Sequence, residues 1–218
     1  MGFNFPENFN YPYISRSIRE FWQRWHITLS TWFRDYLFFP LGGSKNGGFK
    51  TYRNLLIVFI TCGLWHGASW NYVIWGLSHG FFMVLEKLPI ARYFHRLPRV
   101  FHHFYMLLAF NLTLVIFRVE TIPGAFYYLK VLFGYGETST NLNSIRELMP
   151  LNTLIVFFMA IIFSTPIYAS IKKHFNAHSV MVKNFTEIIY LSLLVILFLL
   201  SSMLLATGTY NPFIYFRF

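Results

Sequence analysis

Charge is scarce in this chain. Only 12% of its 218 residues are charged, against about 25% in a typical soluble domain. That excludes an ordinary soluble surface. Acidic residues are the scarcer sign, 8 Asp and Glu against 18 Lys and Arg, for a net charge of +10. Cysteine is nearly absent: Cys62 stands alone, so no disulfide framework exists. The opening Met1-Gly2-Phe3-Asn4-Phe5-Pro6 has no basic n-region and no apolar core, which excludes a secretory signal there. Pro6 also breaks the myristoylation pattern. No set of His, Cys, Asp and Glu has zinc-ligand spacing, so no metal site and no bound cofactor is expected. The loop Gly42-Gly43-Ser44-Lys45-Asn46-Gly47-Gly48 is glycine-rich but lacks the GxxxxGK[ST] phosphate cradle. There is no internal repeat and no low-complexity linker.

Apolar and aromatic side chains fill the chain instead: 56% hydrophobic, 22% aromatic, with 27 Phe and 14 Tyr. This is a membrane composition. Open sheets cannot satisfy their backbone in lipid, and a barrel needs alternating strands rather than continuous apolar runs. The expected fold is therefore all-α: a polytopic membrane helical bundle, one membrane domain over residues 1–218. The excess of Lys and Arg fits cytoplasmic loops. No single basic face collects the charge, so no nucleic-acid partner is expected.

Residues 1–15 read as a loop. Ser17 with Glu20 three residues on forms a capping box, opening a helix expected to run to Phe39, before Pro40-Leu41-Gly42-Gly43. Its apolar stripe is Ile18, Phe21, Trp22, Trp25, Leu29, Trp32, Phe33 and Tyr36, at 3.6-residue spacing. Opposite lie Arg19, Gln23, His26, Ser30 and Arg34. Such a helix lies at the interface or lines a polar cavity. Residues 42–53 read as a loop. A short apolar run then ends at His66, too short to span a bilayer, which needs about 20 residues; it reads as a re-entrant helix. Spans are expected at 101–117, 152–171 and 188–206, with apolar and interfacial helices at 70–88 and 126–133. The basic loops 87–100 and 172–184 place themselves in the cytoplasm; the charge-balanced 118–151 segment and the C-terminus face outside.

His66 is the leading functional candidate. An ionisable group at membrane depth marks a functional site, and a neutral imidazole takes a proton from a hydroxyl near neutral pH. His26, on the polar face one turn from Ser30, is the second; if that face lines a cavity leading to His66, the two share one reaction centre. Trp65, Ser30 and Arg34 are the candidate substrate-binding side chains. His79 is read as structural, and His102, His103, His174 and His178 as interfacial. Ser69 and Cys62 lack a nucleophile elbow or an adjacent base.

The segment Phe21-Trp22-Gln23-Arg24-Trp25-His26-Ile27-Thr28-Leu29-Ser30-Thr31-Trp32-Phe33-Arg34-Asp35-Tyr36-Leu37, followed by Pro40-Leu41-Gly42-Gly43-Ser44 and Gly63-Leu64-Trp65-His66-Gly67-Ala68, resembles the membrane-bound O-acyltransferases (MBOAT), in the alginate O-acetyltransferase-like branch. The opening 1–10 stretch and the terminal Asn211-Pro212-Phe213-Ile214-Tyr215-Phe216-Arg217-Phe218 fit it too. The resemblance is to the C-terminal half of such enzymes, without their N-terminal spans. It implies a multi-pass protein of the bacterial inner membrane that moves an acyl group, acetyl above all, to hydroxyls of an exported polysaccharide such as alginate. It implies an acyl thioester, acetyl-CoA or an acyl carrier, as donor substrate. It implies His66 as the signature catalytic histidine, His26 as the second histidine, and an extracytoplasmic acetyltransferase partner. A teichoic acid D-alanyl transfer protein is the near alternative, though Pro40-Leu41-Gly42-Gly43 favours the alginate-like branch. From other classes, a transporter or channel subunit with His66 as proton relay would show broken helices in repeated halves, and only one is found. A haem protein ligated by His26 and His66 would show a Soret band.

Overall fold

The computed structural model describes residues 2, 4–45, 47–89, 91–94, 96–136, 149–175 and 180–207. Glu137, Arg146, Glu147, His178 and the 211–218 motif lie outside the described residues. Among the described residues every regular element is helical, as a membrane composition demands.

The Ser17 cap forms. Its hydroxyl accepts from the Glu20 amide at 2.9 Å, and the Glu20 carboxylate reaches back to the Arg16 amide at 2.9 Å. Helix α1 covers Ile18–Arg24. Its first two amides, Ile18 and Arg19, donate to the distant Glu86 carboxylate at 2.6 and 3.0 Å. The single helix expected from Ser17 to Phe39 is not continuous. Trp25 is extended and His26 is left-handed (φ 46°, ψ 52°); α2 then covers Ile27–Phe33. A wide π-turn follows at Arg34–Phe38, where the Phe39 amide bonds to the Arg34 carbonyl at 3.0 Å. The cause is competition from the N-terminal loop. The Asn10 amide takes the Arg24 carbonyl, and the Asn8 carbonyl takes the Ile27 amide, each at 2.9 Å. The apolar stripe splits accordingly. Ile18, Phe21, Trp22 and Phe33 are buried, whereas Trp32 and Tyr36 are 53% and 70% exposed.

Helix α3 covers Gly48–His66. The segment read as a 42–53 loop is therefore loop only to Gly47. Its first turn, Gly48-Phe49-Lys50-Thr51, continues the glycine- and lysine-rich loop with a lone aromatic, so its boundary was hidden. At 19 residues the helix is about 28 Å long, with only its second half apolar. Asn54, fully buried, ties the preceding loop to it: its Nδ2 donates to the Leu41 and Gly43 carbonyls at 3.1 and 3.0 Å. Asn54→Leu strands both carbonyls. We expect a loss of about 1–3 kcal/mol, seen as a lower melting midpoint of detergent-extracted protein; an unchanged midpoint contradicts this.

Helix α4 covers Trp70–Leu85 and returns along α3. The two backbones touch at glycines. A Cβ on Gly63 would run into the Tyr72 carbonyl, and one on Gly76 into the Phe59 carbonyl. A short turn, α5 (Ala91–Phe94), leads to α6 (Arg99–Arg118), and α7 (Ile122–Leu132) follows. The Thr121 hydroxyl caps α7 at the Gly124 amide, so the helix begins four residues before the 126–133 expectation. The core joins α1, α3, α4 and α6 through Phe21, Trp22, Phe59, Trp75, Met106 and Phe110.

The described residues fall into two units, one up to Thr165 and one from Pro166. In the first, Leu151–Phe163 forms α8. The second holds α9 (Ile167–Phe175) and α10 (Val180–Thr207), with Tyr168 stacked on Tyr190 at 5.1 Å. The 152–171 span is thus interrupted at 164–166. Pro166 has no amide to donate and disfavours a helical residue before it. Among the described residues, two helices are long and apolar enough to cross a bilayer, Arg99–Arg118 and Glu187–Ala206.

Candidate active site

His66 is the last residue of α3. The helix ends there because Gly67 adopts φ 157°, ψ 164°, a region open essentially to glycine alone. The imidazole is enclosed by rings. Trp75 meets it edge-on at 4.8 Å (87°), Phe117 at 5.3 Å (89°), Trp65 at 4.9 Å, and Tyr72 lies at 6.4 Å. Phe117 comes from the end of α6, and Asn71 holds that end down, since its Nδ2 donates to the Val119 carbonyl.

His26 enters from the other side. Its ring packs against Trp65 at 6.0 Å and Phe9 at 6.1 Å, so Trp65 touches both imidazoles. The left-handed backbone at His26 costs an L-residue roughly 1–2 kcal/mol. Such outliers concentrate at functional sites. Its Nδ1 is buried without a hydrogen-bond partner among the described residues. Burial holds this imidazole below the ordinary histidine range, which favours its neutral form.

His79 is different. It is fully buried, and both ring nitrogens are engaged. Trp22 Nε1–H donates to Nδ1 at 3.3 Å. Thr113 Oγ1 lies 3.1 Å from Nε2 while giving its own hydrogen to the Phe110 carbonyl at 2.8 Å. The proton between them is therefore on Nε2, which fixes the neutral tautomer. This chain of bonds ties α1, α4 and α6 together beside Trp75, which meets His79 edge-on at 4.9 Å. His79 supports the site and does not titrate into it.

Ser30 and Arg34 line a separate cavity of about 480 Å³ between α1, α2, the π-turn and α3. Arg19, Gln23 and Lys87 add polar groups to its wall, Phe59 and Leu55 apolar ones. Ser30 also donates weakly to the Trp25 carbonyl at 3.4 Å, and Arg34 grips its neighbour Asp35 at 2.7 and 3.1 Å. His26, Trp65 and His66 are not part of this wall. Cys62 and Ser30 are, and they lie one helical turn from His66 and His26. The five residues singled out in the sequence thus form two adjacent groups, a histidine–tryptophan–histidine cluster and a polar-and-apolar cavity. Asn71, Trp75 and Phe117 were not singled out. Only their position around the end of α3 reveals them.

The family model of the membrane-bound O-acyltransferases matches residues 1–129, a stretch that contains every side chain of this site. The chain belongs to the membrane-bound O-acyltransferase family. Individual relatives agree. The chain is similar to a probable alginate O-acetylase of Pseudomonas putida, 36% identical over 232 residues, covering 100% of this chain and 47% of the relative. It is similar to a peptidoglycan O-acetyltransferase of Helicobacter pylori, 37% identical over 161 residues, covering 68% of this chain and 31% of the relative. A teichoic acid D-alanyltransferase of Bacillus subtilis is 42% identical over 90 residues, 38% of this chain and 23% of the relative. The chain spans about half the length of the P. putida relative that it matches throughout.

Proposed function

We propose that this chain carries the acyl-transfer centre of a membrane O-acyltransferase that moves an acetyl group to hydroxyls of an exported polysaccharide. The observation that carries the reading is the placement of His66. It is an imidazole at a helix end, walled by aromatic rings, with His26 brought alongside through Trp65. His66 takes the proton of the sugar hydroxyl as its oxygen attacks the thioester carbonyl. The C–S bond breaks, and the departing sulfur recovers that proton from His66. The products are an ester and a thiol. His26 orients the acyl group or steadies the charge that develops on its carbonyl oxygen.

The donor is an acyl thioester, acetyl-CoA or an acyl carrier. The cavity suits one: Arg19, Arg34 and Lys87 offer cations to phosphate, and the wall reaches within a turn of both histidines. Trp65 is the side chain that both substrates meet. The setting is a single multi-pass domain of the bacterial inner membrane, with the acceptor polymer outside and an extracytoplasmic acetyltransferase partner.

Acetylation is favoured over D-alanylation because the resemblance to the O-acetylase runs over the whole chain, against 38% of it for the D-alanyltransferase. Deleting the gene and measuring ester-linked acetate and D-alanine on the exported polymers separates the two. Loss of acetate with D-alanine unchanged is expected; loss of D-alanine alone overturns the acetyl assignment.

A further inference from the structure

His26 is the N-cap residue of α2, yet its own side chain makes no capping bond. The first amides of a helix need partners, and here another segment supplies them. Asn8 does so twice. Its backbone carbonyl accepts from the Ile27 amide at 2.9 Å. Its side-chain Oδ1 accepts from the Thr28 amide at 3.1 Å and the Thr28 hydroxyl at 2.8 Å. Two residues on, the Asn10 amide closes α1 by donating to the Arg24 carbonyl at 2.9 Å. The left-handed His26 is thus bracketed by bonds to one short strap of the N-terminal loop. Phe9, between the two asparagines, lays its ring against both His26 and Trp25.

A cap residue ordinarily spends its side chain on its own helix. Because Asn8 caps α2 from outside, the His26 imidazole is released from that duty and is free to lie beside Trp65. We infer that Asn8 is a positioning residue for acyl transfer: it caps α2 in place of His26 and so holds the left-handed backbone that turns the His26 ring toward His66. The inference rests on the reading of the His66–His26 cluster as the transfer centre. It assigns a role to a loop residue that carries no reactive group of its own.

The side chain acts only as an acceptor in these bonds, which makes the chemistry separable. Asn8→Asp keeps Oδ1 and adds a negative charge at a helix N-terminus, where it is favourable. Asn8→Ala removes the acceptor and leaves the Thr28 amide uncapped. Initial rates of acetyl transfer are measured in membranes carrying the full chain, normalised to protein present, at saturating and limiting acetyl donor. Small misplacements of a catalytic group lower rates by up to about 100-fold, and we expect Asn8→Ala to reduce kcat about 10- to 100-fold with KM for the donor little changed. Asn8→Asp should restore at least half the wild-type kcat.

The deciding comparison is made in a His26→Ala background. If Asn8 works through His26, Asn8→Ala has no further effect there. An equal fold-loss in both backgrounds overturns the inference and leaves Asn8 a general structural residue. Wild-type kcat in Asn8→Ala also overturns it. If His26→Ala itself transfers acetyl at the wild-type rate, the role of His26 fails along with the inference. If His66→Ala retains transfer, the reading of the whole centre fails. These outcomes are distinguishable from a failure at Asn8 alone.

Discussion

Replacing His66 with alanine lowers acyl transfer by about 10²–10⁴-fold, the range general-base catalysis supplies, while the protein still accumulates in the membrane. The two halves of that expectation have separate physical grounds. Activity falls because neither of the other two histidines described around the site, His79 and His26, can substitute. His79 has both nitrogens committed to Trp22 and Thr113, and His26 approaches through Trp65 from a different element. Folding survives because α3 ends through the Gly67 backbone, whose amide bonds to the Leu64 carbonyl at 3.2 Å, and not through the imidazole. The core of α1, α3, α4 and α6 also lies outside His66. His66→Gln should be as inactive, since an amide has no basic nitrogen. Ester acetate on exported polymer and immunoblotting of membranes check both halves; retained acetate in either variant contradicts the mechanism.

The largest stability effect falls on two residues with no chemistry. Gly63→Ala or Gly76→Ala places a methyl on the carbonyl of the facing helix, Tyr72 for Gly63 and Phe59 for Gly76. Neither obstacle is a flexible side-chain tip, so α3 and α4 must separate. Overpacking of this kind costs about 1–3 kcal/mol and sometimes more. The damage also reaches the site, because Tyr72 and Trp75 on α4 wall His66. Each variant should therefore lose melting temperature and activity together, and each should accumulate poorly. A variant with full activity and unchanged melting contradicts the close packing at that glycine. Gly80→Ala is the internal comparison: its methyl meets the Leu56 side chain and Phe59 Cβ at 3.2 Å, and its effect should be milder.

These particulars show what a sequence can and cannot carry. The helical class follows from apolar runs that no open sheet could satisfy in lipid. The Ser17–Glu20 cap is local chemistry and was legible. His66 was legible because histidine at the end of an apolar run stands out against its neighbours. The break at His26 was not, because the competing bonds come from Asn8 and Asn10, far enough away that 3.6-residue spacing continues undisturbed across the break. The start of α3 was hidden because Gly47, Gly48 and Lys50 read as loop chemistry and outweighed the lone Phe49. Pro166 did give a visible signal for the interruption at 164–166, but the continuous apolar run around it masked the consequence. Asn54 and Asn71 look like ordinary polar residues until their carbonyl partners, 11 to 48 positions away, are brought to them.

The central claim is that the cluster around His66 passes an acyl group from a thioester to a polymer hydroxyl. Membrane vesicles carrying the full chain are supplied with radiolabelled acetyl thioester and acceptor polymer, and alkali-labile label on the polymer is counted. Label should appear with the wild-type protein and fall to background with His66→Ala at equal protein. Equal label on the polymer from both would contradict the account.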